Sequence, residues 1–316
     1  MTILNPVLYG EGGPVASFHE PPFIERERAL VMFRLFYKIF DVVHADSPAL
    51  LEQARRLRYR VFCEEFDGYE NPDDHPDGLE RDSFDAHAEH ILLVYKPTGT
   101  AIGTVRLIKP RPDNWQRSFP VQGLCDFEHL RDAEFIRGAC EFSRLCISGS
   151  LRAEAKDHLQ NVYARSRHLA SYERPLVRNI ISMTMLGIIG VAFERALKNG
   201  LTNILGIMEP YHINRLHRSG MIFHPIGPRI DYHGTRQPFV TNILETFRHA
   251  VEHHNDIWAV VSQLGRIHSL ALEVEQLHRE KGSGTFVPEI DYSLPTQWRR
   301  RCGDVLPSHL AWLLAM

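Results

Sequence analysis

The stretch Arg58-Tyr59-Arg60-Val61-Phe62 is the first of four short runs in which charged residues stand beside apolar ones. The other three follow in chain order as Glu80-Arg81-Asp82-Ser83-Phe84-Asp85, Gly103-Thr104-Val105-Arg106-Leu107 and Glu141-Phe142-Ser143-Arg144. A charge that is buried among apolar residues without a partner costs free energy. The charged side chains of these runs are therefore expected to pair with one another or to bind a ligand.

Local spacing predicts which side chains of the first two runs share a surface. Arg58 and Phe62 are four residues apart in a predicted helix, so they lie on one helix face. Glu80 and Asp82 point the same way in an extended segment, and Asp85 completes the pattern E-x-D-x-x-D. The acidic run thus offers carboxylates to any arginine that lies nearby.

The other two runs belong to predicted strands. Arg106 lies inside the apolar strand Thr104–Ile108 and needs a carboxylate partner, which the acidic run upstream can supply. Glu141 and Arg144 fall on opposite faces of the strand Cys140–Ile147 if that strand is regular. Two arrangements stay open: one of the two charges faces the other side of the sheet, or a β-bulge intervenes.

Two interpretations of these charges also stay open. The first is a buried salt-bridge network that holds the acidic segment onto the sheet. The second is a preorganised polar wall for a substrate that carries an amine. In such a wall carboxylates bind the ammonium group, and an arginine binds a substrate carboxylate in a bidentate manner. The interpretations overlap, because a binding wall must itself be held rigid.

The composition is that of a folded globular chain. It has 316 residues, of which 44% are hydrophobic, enough for one large domain or two small ones. A net charge of −3 and a pI of 6.7 argue against a nucleic-acid partner, because proteins that bind nucleic acids are usually basic. The five cysteines have neither paired nor metal-type spacing, so we expect free thiols.

We expect a cytoplasmic bacterial protein without a transmembrane segment. The N-terminal run of residues 1–6 lacks the basic and apolar regions of a signal peptide. The longest apolar stretch, Ile180–Phe193, is interrupted by polar residues and glycines and is too short to span a bilayer. It is expected to form a buried helix.

The predicted elements follow one another in a mixed α/β order. Ser47 is a predicted helix N-cap, and Asn199-Gly200 is a predicted helix C-cap. The elements are a strand at Phe40–Ala45, a helix at Pro48–Cys63, a hairpin of His90–Tyr95 and Ala101–Lys109, a strand at Cys140–Ile147, a helix at Val177–Lys198, a strand at Asn203–Met208, a short helix at Tyr211–Ser219, a β-segment at Met221–Tyr232, and helices at Thr241–His253 and Asp256–Glu280.

The four charged runs resemble the motifs of the acyl-homoserine-lactone synthases, which are acyltransferases of the GNAT type. That family has an R-x-x-x-F helix, an acidic E-x-D-x-x-D stretch, a G-x-x-R-L strand and an E-x-S-R strand. The chain departs from the pattern at Gly68, where the family usually has a Trp on the S-adenosylmethionine side of its site. The matching residues are Arg58, Phe62, Glu80, Asp82, Asp85, Gly103, Arg106, Leu107, Glu141, Ser143 and Arg144.

A closer resemblance covers about residues 33–265. The acyltransferases associated with the PEP-CTERM/exosortase system, relatives of the N-acyl amino acid synthases, show similar runs. Here those runs are residues 57–65, 76–80, 208–210 and 227–234, the last reading Gly-Pro-Arg-Ile-Asp-Tyr-His-Gly. From this resemblance we expect a member of the exosortase-associated family.

The resemblance implies a fold and a division of the chain. The fold would be GNAT-like α/β, with a mixed central sheet that splays open to form a cleft for an acyl thioester and with helices on both faces. Residues 1–32 would form an N-terminal arm, residues 33–265 the acyltransferase domain, and residues 266–316 a C-terminal helix and tail.

The implied reaction transfers a fatty acyl group from a thioester to the amine of an amino acid or a similar small molecule. The common GNAT pyrophosphate loop is missing after Ile147, so acyl carrier protein fits better as the donor, with acyl-coenzyme A as the alternative, and we expect no resident cofactor. Six basic residues within 152–178 suit an acidic carrier protein. Membrane contact is expected only transiently, through the acyl product. The alternatives are an acyl-homoserine-lactone (autoinducer) synthase that uses S-adenosylmethionine, and a non-catalytic acyl-carrier or lipid-binding module.

The resemblance also implies roles for individual residues. Glu141 is the first candidate for the base that takes a proton from the substrate ammonium, the alternative being a partner for an arginine. Arg144 is the other expected catalytic residue, and backbone N–H groups at 145–147 are expected to bind the oxyanion. The expected substrate-binding residues are Arg58, Phe62, Glu80, Asp82, Asp85, Arg106, Ser143, Tyr232 and His233.

One further motif points to a different chemistry. The run His249-Ala250-Val251-Glu252-His253 fits H-x-x-E-H, which occurs in zinc peptidases. Two histidines do not complete a zinc site, and no third ligand with helical spacing follows them. We therefore expect no metal.

Overall fold

The computed structural model describes residues 23–66, 69–162, 176 and 180–280. Within these ranges an eight-stranded sheet forms the centre of the molecule. Its strands are β1 (Phe40–His44), β2 (Ala88–Tyr95), β3 (Thr100–Ile108), β4 (Ala139–Ile147), β5 (Asn203–Met208), β6 (His224–Pro225), β7 (Ile230–Asp231) and β8 (Thr235–Asn242).

Helices surround this sheet, and a π-helical turn at Arg60–Glu65 directly continues the second of them. The α-helices are α1 (Phe23–Ile39), α2 (Pro48–Tyr59), α3 (Ala133–Arg137), α4 (Gly149–Val162), α5 (Thr184–Lys198), α6 (Pro210–His217), α7 (Ile243–His253), α8 (Asn255–Val261) and α9 (Arg266–Glu280). Short 3-10 turns lie at Pro72–Asp74, Ser83–His87, Trp115–Arg117, Pro120–Gly123, Glu128–Arg131 and Ile181–Met183.

The sheet opens between its two central strands. The strand order is β1-β2-β3-β4-β5-β8-β6, with β7 paired to β8, and the β4–β5 pair is parallel while the others are antiparallel. Pairing between β4 and β5 ends where Phe142 lies opposite Gly206, although β4 continues to Ile147. The two strands therefore separate at their carboxyl ends, which confirms the splayed mixed sheet that was predicted.

Helices pack on both faces of the sheet, as predicted. Successive side chains of a strand point to opposite faces. On β2, Ile91 and Leu93 join the large core that includes α1, α5 and α8, whereas Leu92 joins the smaller core beneath α2. The sheet is thus buried on both sides at this point, which explains the continuous apolar run in β2.

Small residues on α5 allow neighbouring elements to approach it closely. A side chain at Gly187 would collide with the ring of Phe36 on α1. A side chain at Gly190 would collide with the backbone of Val261 at the end of α8. The apolar stretch that was expected to be a buried helix is therefore the centre of a helical layer. Among the described residues, no helix is both long enough and apolar enough to cross a bilayer.

Two predicted caps are confirmed. The hydroxyl of Ser47 accepts a hydrogen bond of 3.3 Å from the N–H of Leu50 at the start of α2. At the end of α5, Gly200 has a φ of +73°, the left-handed conformation that glycine adopts without strain. The helix after Ser47 changes to π-helical hydrogen bonding at Arg60 before it ends at Glu65.

The predicted N-terminal arm needs correction, because residues 23–32 belong to α1. The Gly and Pro residues that suggested an extended segment precede Phe23, outside the described residues. In α1 the apolar side chains recur with helical spacing and are buried against the core. They are Ala29, Met32, Leu35, Phe36 and Ile39. The boundary at residue 32 therefore falls inside α1, and the division at residue 265 stays a prediction.

The predicted helix from Thr241 begins later, because Thr235–Asn242 forms strand β8. Pro238 and several polar side chains obscured the strand pattern in the sequence. In the fold β8 pairs with β5 from Asn203 opposite Asn242 to Met208 opposite Gln237, and most of its side chains are buried. Position within the sheet therefore overrides the weak local pattern.

The last predicted helix is two helices, α8 and α9. Gln263, Leu264 and Gly265 between them have φ values of 51°, 57° and 90°. Consecutive left-handed residues cannot continue a right-handed helix. The hydroxyl of Ser262 accepts a 2.8 Å hydrogen bond from the N–H of Gly265 and stabilises the turn.

Candidate functional site

The predicted charges meet on the face of the sheet that α2 covers. Arg58, in the last turn of α2, has no exposed surface. Its Nε donates a hydrogen bond to Glu80, and its Nη1 and Nη2 donate to the two oxygens of Asp85 at 2.8 and 3.3 Å. A fully buried guanidinium is thus balanced by two carboxylates of the acidic run.

Arg106 on β3 binds the next part of the acidic run. It donates bonds of 2.5 and 3.0 Å to the two oxygens of Asp82 and one of 2.9 Å to Asp85. Its Nε donates a 2.9 Å bond to the hydroxyl of Ser143 on β4. The two oxygens of Asp82 therefore receive the parallel hydrogen bonds of a bidentate arginine pair.

The acidic run keeps its shape through a local capping box. The Asp82 carboxylate accepts a 2.8 Å hydrogen bond from the N–H of Phe84, and the Asp85 carboxylate accepts one of 3.1 Å from the N–H of Asp82. These reciprocal bonds start the 3-10 turn Ser83–His87. Their effect is to hold both carboxylates in place beside the arginines.

A β-bulge brings the charges of β4 together and settles the alternative that was left open. Arg106 pairs with Ser143 and Thr104 pairs with Cys146, so two residues of β4 lie opposite one residue of β3. Arg144, inside the bulge, has a φ of +52°. The bulge turns Arg144 to the face of Ser143 and the acidic run, where a regular strand would have pointed it away.

Arg144 closes the network on its outer side. Its Nε donates a 3.0 Å hydrogen bond to Glu80, and its Nη2 lies 2.9 Å from Glu70 and 3.5 Å from Asp82. Its guanidinium also lies over the ring of Phe62, 5.6 Å from the ring centre. Arg144 of β4 is therefore tied both to the acidic run and to the π-helical turn that continues α2.

The arginines keep the carboxylates ionised. Burial by itself raises the pKa of Asp85, but the charges and hydrogen bonds of Arg58 and Arg106 outweigh it, so that the pKa lies well below its usual range. Burial likewise raises the pKa of Glu80, and Arg58 with Arg144 lowers it further than burial raises it. The network is thus made of fixed charges at neutral pH.

The network carries one excess negative charge. His90, only 3% exposed and 3.4 Å from Asp85, stays neutral, because burial and then Arg58 lower its pKa to about 4. Asp82 and Glu70 are the more exposed carboxylates, at 29% and 21% of their side chains. The ionised members are the arginines 58, 106 and 144 against Glu70, Glu80, Asp82 and Asp85.

Glu141 differs from these carboxylates, although it lies on the same face of β4 as Ser143. Its side chain is 2% exposed, and it accepts a 3.0 Å hydrogen bond from the N–H of Val121. Burial raises its pKa to about 7, and the Val121 bond and the charge of Arg106 offset this only in part. Glu141 is therefore a carboxyl group that can gain or lose a proton near neutral pH.

The predicted residues Tyr232 and His233 reach the site through an aromatic stack. The ring of Phe62 lies 4.8 Å from that of Tyr69, and Tyr69 stacks at 4.6 Å on His233, which meets Tyr232 edge-on at 4.7 Å. The guanidinium of Arg236 lies over Tyr69 at 5.8 Å. The loop between β7 and β8 is thereby joined to the end of α2.

Sequence reasoning missed four residues of this site: Glu70, Tyr69, Arg236 and Val121. Tyr69 follows Gly68, which itself lies outside the described residues. The available signal for Glu70 and Tyr69 was an aromatic and a charged residue in the segment between the first charged run and the acidic run. The sequence holds no comparable signal for Val121, because its contribution is a backbone N–H.

The histidines of the H-x-x-E-H run lie apart from this network on α7. The rings of His249 and His253 are 4.7 Å apart. Across the ranges that the structure describes, no group of three His, Cys, Asp or Glu side chains is placed to hold a metal ion.

Comparison with known proteins finds a match for one segment of the chain. Residues 57–160 match the family model described as acetyltransferase (GNAT) domain, and this segment holds every charge of the network. The segment therefore carries the sequence pattern of a GNAT acetyltransferase domain. A search of curated protein sequences gave no match.

Several solved structures are similar to this chain. TofI, in a ternary complex with an inhibitor and MTA, is 21% identical, with 69% of this chain and 99% of TofI covered and a TM-score of 0.43. FeeM, an N-acyl amino acid synthase from uncultured soil microbes, is 14% identical, with coverage of 66% and 94% and a TM-score of 0.42. BjaI, a CoA-dependent acyl-homoserine lactone synthase with SAM and isopentyl-CoA, is 17% identical, with coverage of 75% and 99% and a TM-score of 0.42.

Proposed function

We propose that the protein transfers a fatty acyl group from the thioester of an acyl carrier protein to the amine of an amino acid or a similar small molecule. The observation that carries this proposal is the position of Glu141. It shares one face of β4 with the network of excess negative charge, beside the gap between β4 and β5. A proton acceptor, a site for an ammonium group and an opening for a thioester thus occur together.

The acceptor ammonium binds at the exposed edge of the network. Asp82 and Glu70 are its least buried carboxylates, and the excess negative charge attracts a cation there. Arg144 engages Glu70, Glu80 and Asp82, so its function is to hold these carboxylates in position. Tyr232 and His233, held by their stack on Tyr69, line the outer side of the acceptor site.

The chemical step needs a neutral amine. Glu141 takes a proton from the ammonium, directly or through water, and its pKa of about 7 suits that transfer at neutral pH. The amine nitrogen then attacks the thioester carbon; a C–N bond forms and the C–S bond breaks. The second amine proton neutralises the departing thiolate. Overall, an ammonium and a thioester give an amide, a thiol and one free proton.

The donor enters between the separated strands. Beyond Phe142 the strand β4 has no ladder to β5, so the backbone N–H groups at 145–147 are candidates to bind the oxyanion. Basic side chains of α4, Arg152 and Lys156, lie near the start of that helix and suit an acidic carrier protein. The other predicted basic residues of this segment, Arg165, Arg167, Arg174 and Arg178, lie outside the described residues.

The test is mass spectrometry of lipid extracts from cells that express the protein, followed by assays with purified acyl carrier protein and candidate amines. New acylated amines are expected for the wild type, strongly reduced amounts for Glu141→Gln, and wild-type amounts for Glu154→Gln on the exposed side of α4. Folded wild-type protein that yields no acylated amine would contradict the reaction and favour a non-catalytic carrier-binding module. A parallel assay with S-adenosylmethionine as the acceptor tests the alternative that the protein is a lactone synthase. The exosortase association stays a prediction.

A further inference from the structure

Glu65 occupies the N-terminus of α4 from a distant part of the chain. It is the last residue of the π-helical turn that follows α2. Its carboxylate accepts hydrogen bonds of 2.7 Å from the N–H of Gly149 and 3.3 Å from the N–H of Ser150. It also accepts bonds of 2.7 Å from the hydroxyl of Ser148 and 2.5 Å from that of Ser150.

These donors are the groups with which a helix binds an external anion. The free N–H groups and the dipole at a helix N-terminus together favour negative charge, and phosphate groups commonly bind there. Burial raises the pKa of Glu65, but the bonds from Ser150, Ser148 and Gly149 lower it further, so the carboxylate is ionised at neutral pH. The chain therefore fills its own anion site.

The location of this contact in the fold links it to the donor. Helix α4 follows β4 and helix α6 follows β5, and these two strands are parallel and separate at their carboxyl ends. In open α/β sheets, ligands bind outside the carboxyl ends of parallel strands. The start of α4, where Glu65 lies, directly follows the carboxyl end of β4 and so borders the gap that a pantetheine arm would enter.

We propose that Glu65 selects the acyl donor: it excludes the diphosphate of an acyl-coenzyme A and leaves room for the single phosphodiester of a carrier-bound phosphopantetheine. This inference rests on the proposed function. Two negatively charged groups cannot share the same few N–H donors without a large electrostatic cost. A donor with one phosphate avoids that cost if another cationic group binds it nearby.

Arg152 and Arg215 supply that cationic group. Arg152 lies in the first turn of α4 and Arg215 on α6, on the two helices that flank the gap. Both are half-buried, and in the described part of the chain neither forms an ion pair with a carboxylate. Burial lowers the pKa of Arg152, and the positive charge of Arg215 lowers it further.

The decisive experiment compares two donors that carry the same acyl chain, acyl-coenzyme A and acyl carrier protein. We expect the wild type to prefer the carrier protein in kcat/KM. Glu65→Ala is expected to raise kcat/KM for acyl-coenzyme A about tenfold or more, because the N-terminus of α4 becomes free for the diphosphate. Glu65→Gln keeps the side-chain volume and removes the negative charge. A rise in kcat/KM for acyl-coenzyme A in this variant shows that Glu65 repels the diphosphate by its charge, and no rise shows that it excludes the diphosphate by its size.

The chain offers a matched control in Glu64. This neighbour is exposed and carries the same charge, and Glu64→Ala is expected to leave the ratio of the two donors unchanged. Arg152→Gln is expected to raise KM for the carrier donor about tenfold, as loss of a charge-assisted phosphate contact does. A wild type that uses both donors equally, or a Glu65→Ala variant with unchanged donor preference, would overturn the proposal.

A binding measurement on the wild type covers the case in which Glu65→Ala does not fold. Calorimetry with coenzyme A and with 4′-phosphopantetheine compares the two phosphate groups directly. We expect coenzyme A to bind no more tightly than phosphopantetheine; coenzyme A that binds about tenfold more tightly would contradict the role of Glu65. Because no acyl transfer is needed, this result stands whether or not the proposed reaction is found.

Discussion

Glu80 and Glu141 are two carboxylates on the same side of one sheet, and they behave in opposite ways. Both are nearly inaccessible, at 1% and 2% exposure. Burial raises the pKa of each, but Arg58 and Arg144 lower that of Glu80 below its usual value, whereas that of Glu141 rises to about 7. The difference lies in their partners, two guanidinium groups for Glu80 and one backbone N–H of Val121 for Glu141.

The charged network and the surroundings of Glu141 differ in the cations that they provide. Each carboxylate of the network has a cation in contact, and the pKa values of Glu80, Asp82 and Asp85 lie below their usual range, although burial raises them. Glu141 has no cation within ion-pair distance in the described part of the chain. The first of the two original interpretations, a buried salt-bridge network, therefore describes one region. The second, a polar wall that binds a substrate amine, stays a prediction.

The largest effect is expected where the network loses its central cation. Arg58→Met leaves Glu80 and Asp85 buried with less compensation and is expected to lower the free energy of unfolding by about 3–5 kcal/mol. Urea denaturation measures this loss. Arg56→Met in the same helix is the control, because the Arg56–Glu52 pair is exposed and contributes about 1 kcal/mol or less. Equal losses for both variants would contradict the buried network.

The second prediction concerns catalysis by Glu141. Glu141→Gln is expected to lower kcat by about 100- to 10,000-fold with little change in KM, as removal of a general base does. Wild-type kcat is expected to rise as the pH passes about 7, because the base must be ionised, and the variant is expected to lose this rise. Steady-state kinetics from pH 5.5 to 8.5 measures both effects; a variant with an unchanged pH profile would rule out Glu141 as the base.

That the arginines pair with the carboxylates of the acidic run could be predicted from the sequence, because a buried charge needs a partner of opposite sign close to it. A buried Arg106 needs a carboxylate, and the acidic run is the nearest dense source of them. The side of β4 on which Arg144 lies could not be predicted. It depends on a bulge, which is defined only when β3 and β4 are in register.

Val121 and β8 show the same limit in two further ways. The bond from Val121 to Glu141 joins a loop backbone to a strand 20 residues later, and no side-chain pattern records it. Strand β8 has a Pro and polar residues at positions that the sheet buries, so most of it was not predicted as a strand, and its last two residues were assigned to the following helix. The sequence pattern therefore does not predict contacts that depend on backbone groups or on the pairing of strands that are distant in the chain.

The third prediction uses the opposite pKa shifts of the two regions. The folded-state pKa of Glu141 is raised from 4.5 to about 7, so its ionisation favours the unfolded state. The contribution of Glu141 to stability is expected to fall as the pH rises from about 4.5 to 7, by up to about 3 kcal/mol for a shift of this size. The buried histidines His90 and His268, whose pKa values are lowered to about 4, contribute with the opposite sign. Asp85 has a lowered pKa, so its contribution is present above about pH 4 and is lost at lower pH.

Denaturation curves at several pH values test this sign. Between about pH 4.5 and 7 the free energy of unfolding of the wild type is expected to fall relative to that of Glu141→Gln, because the histidine contributions are common to both proteins. A wild type whose stability rises relative to that of Glu141→Gln through this window would show that Glu141 is ionised and paired in the folded state, which would remove the contrast with Glu80.

The smallest effect is expected at Ser143, which joins the two regions. Its hydroxyl accepts the Nε–H of Arg106, and Ser143→Ala leaves that buried donor without its partner at a cost of about 1 kcal/mol. The exposed Ser83→Ala is the matched control, with no loss expected.

If Ser143 only completes the hydrogen bonding of Arg106, stability falls and kcat/KM is unchanged. If it touches the acceptor as predicted, KM rises while the loss of stability stays the same. A KM that is unchanged in a destabilised Ser143→Ala variant would therefore assign Ser143 to the network and confine the acceptor to Asp82, Glu70 and Glu141.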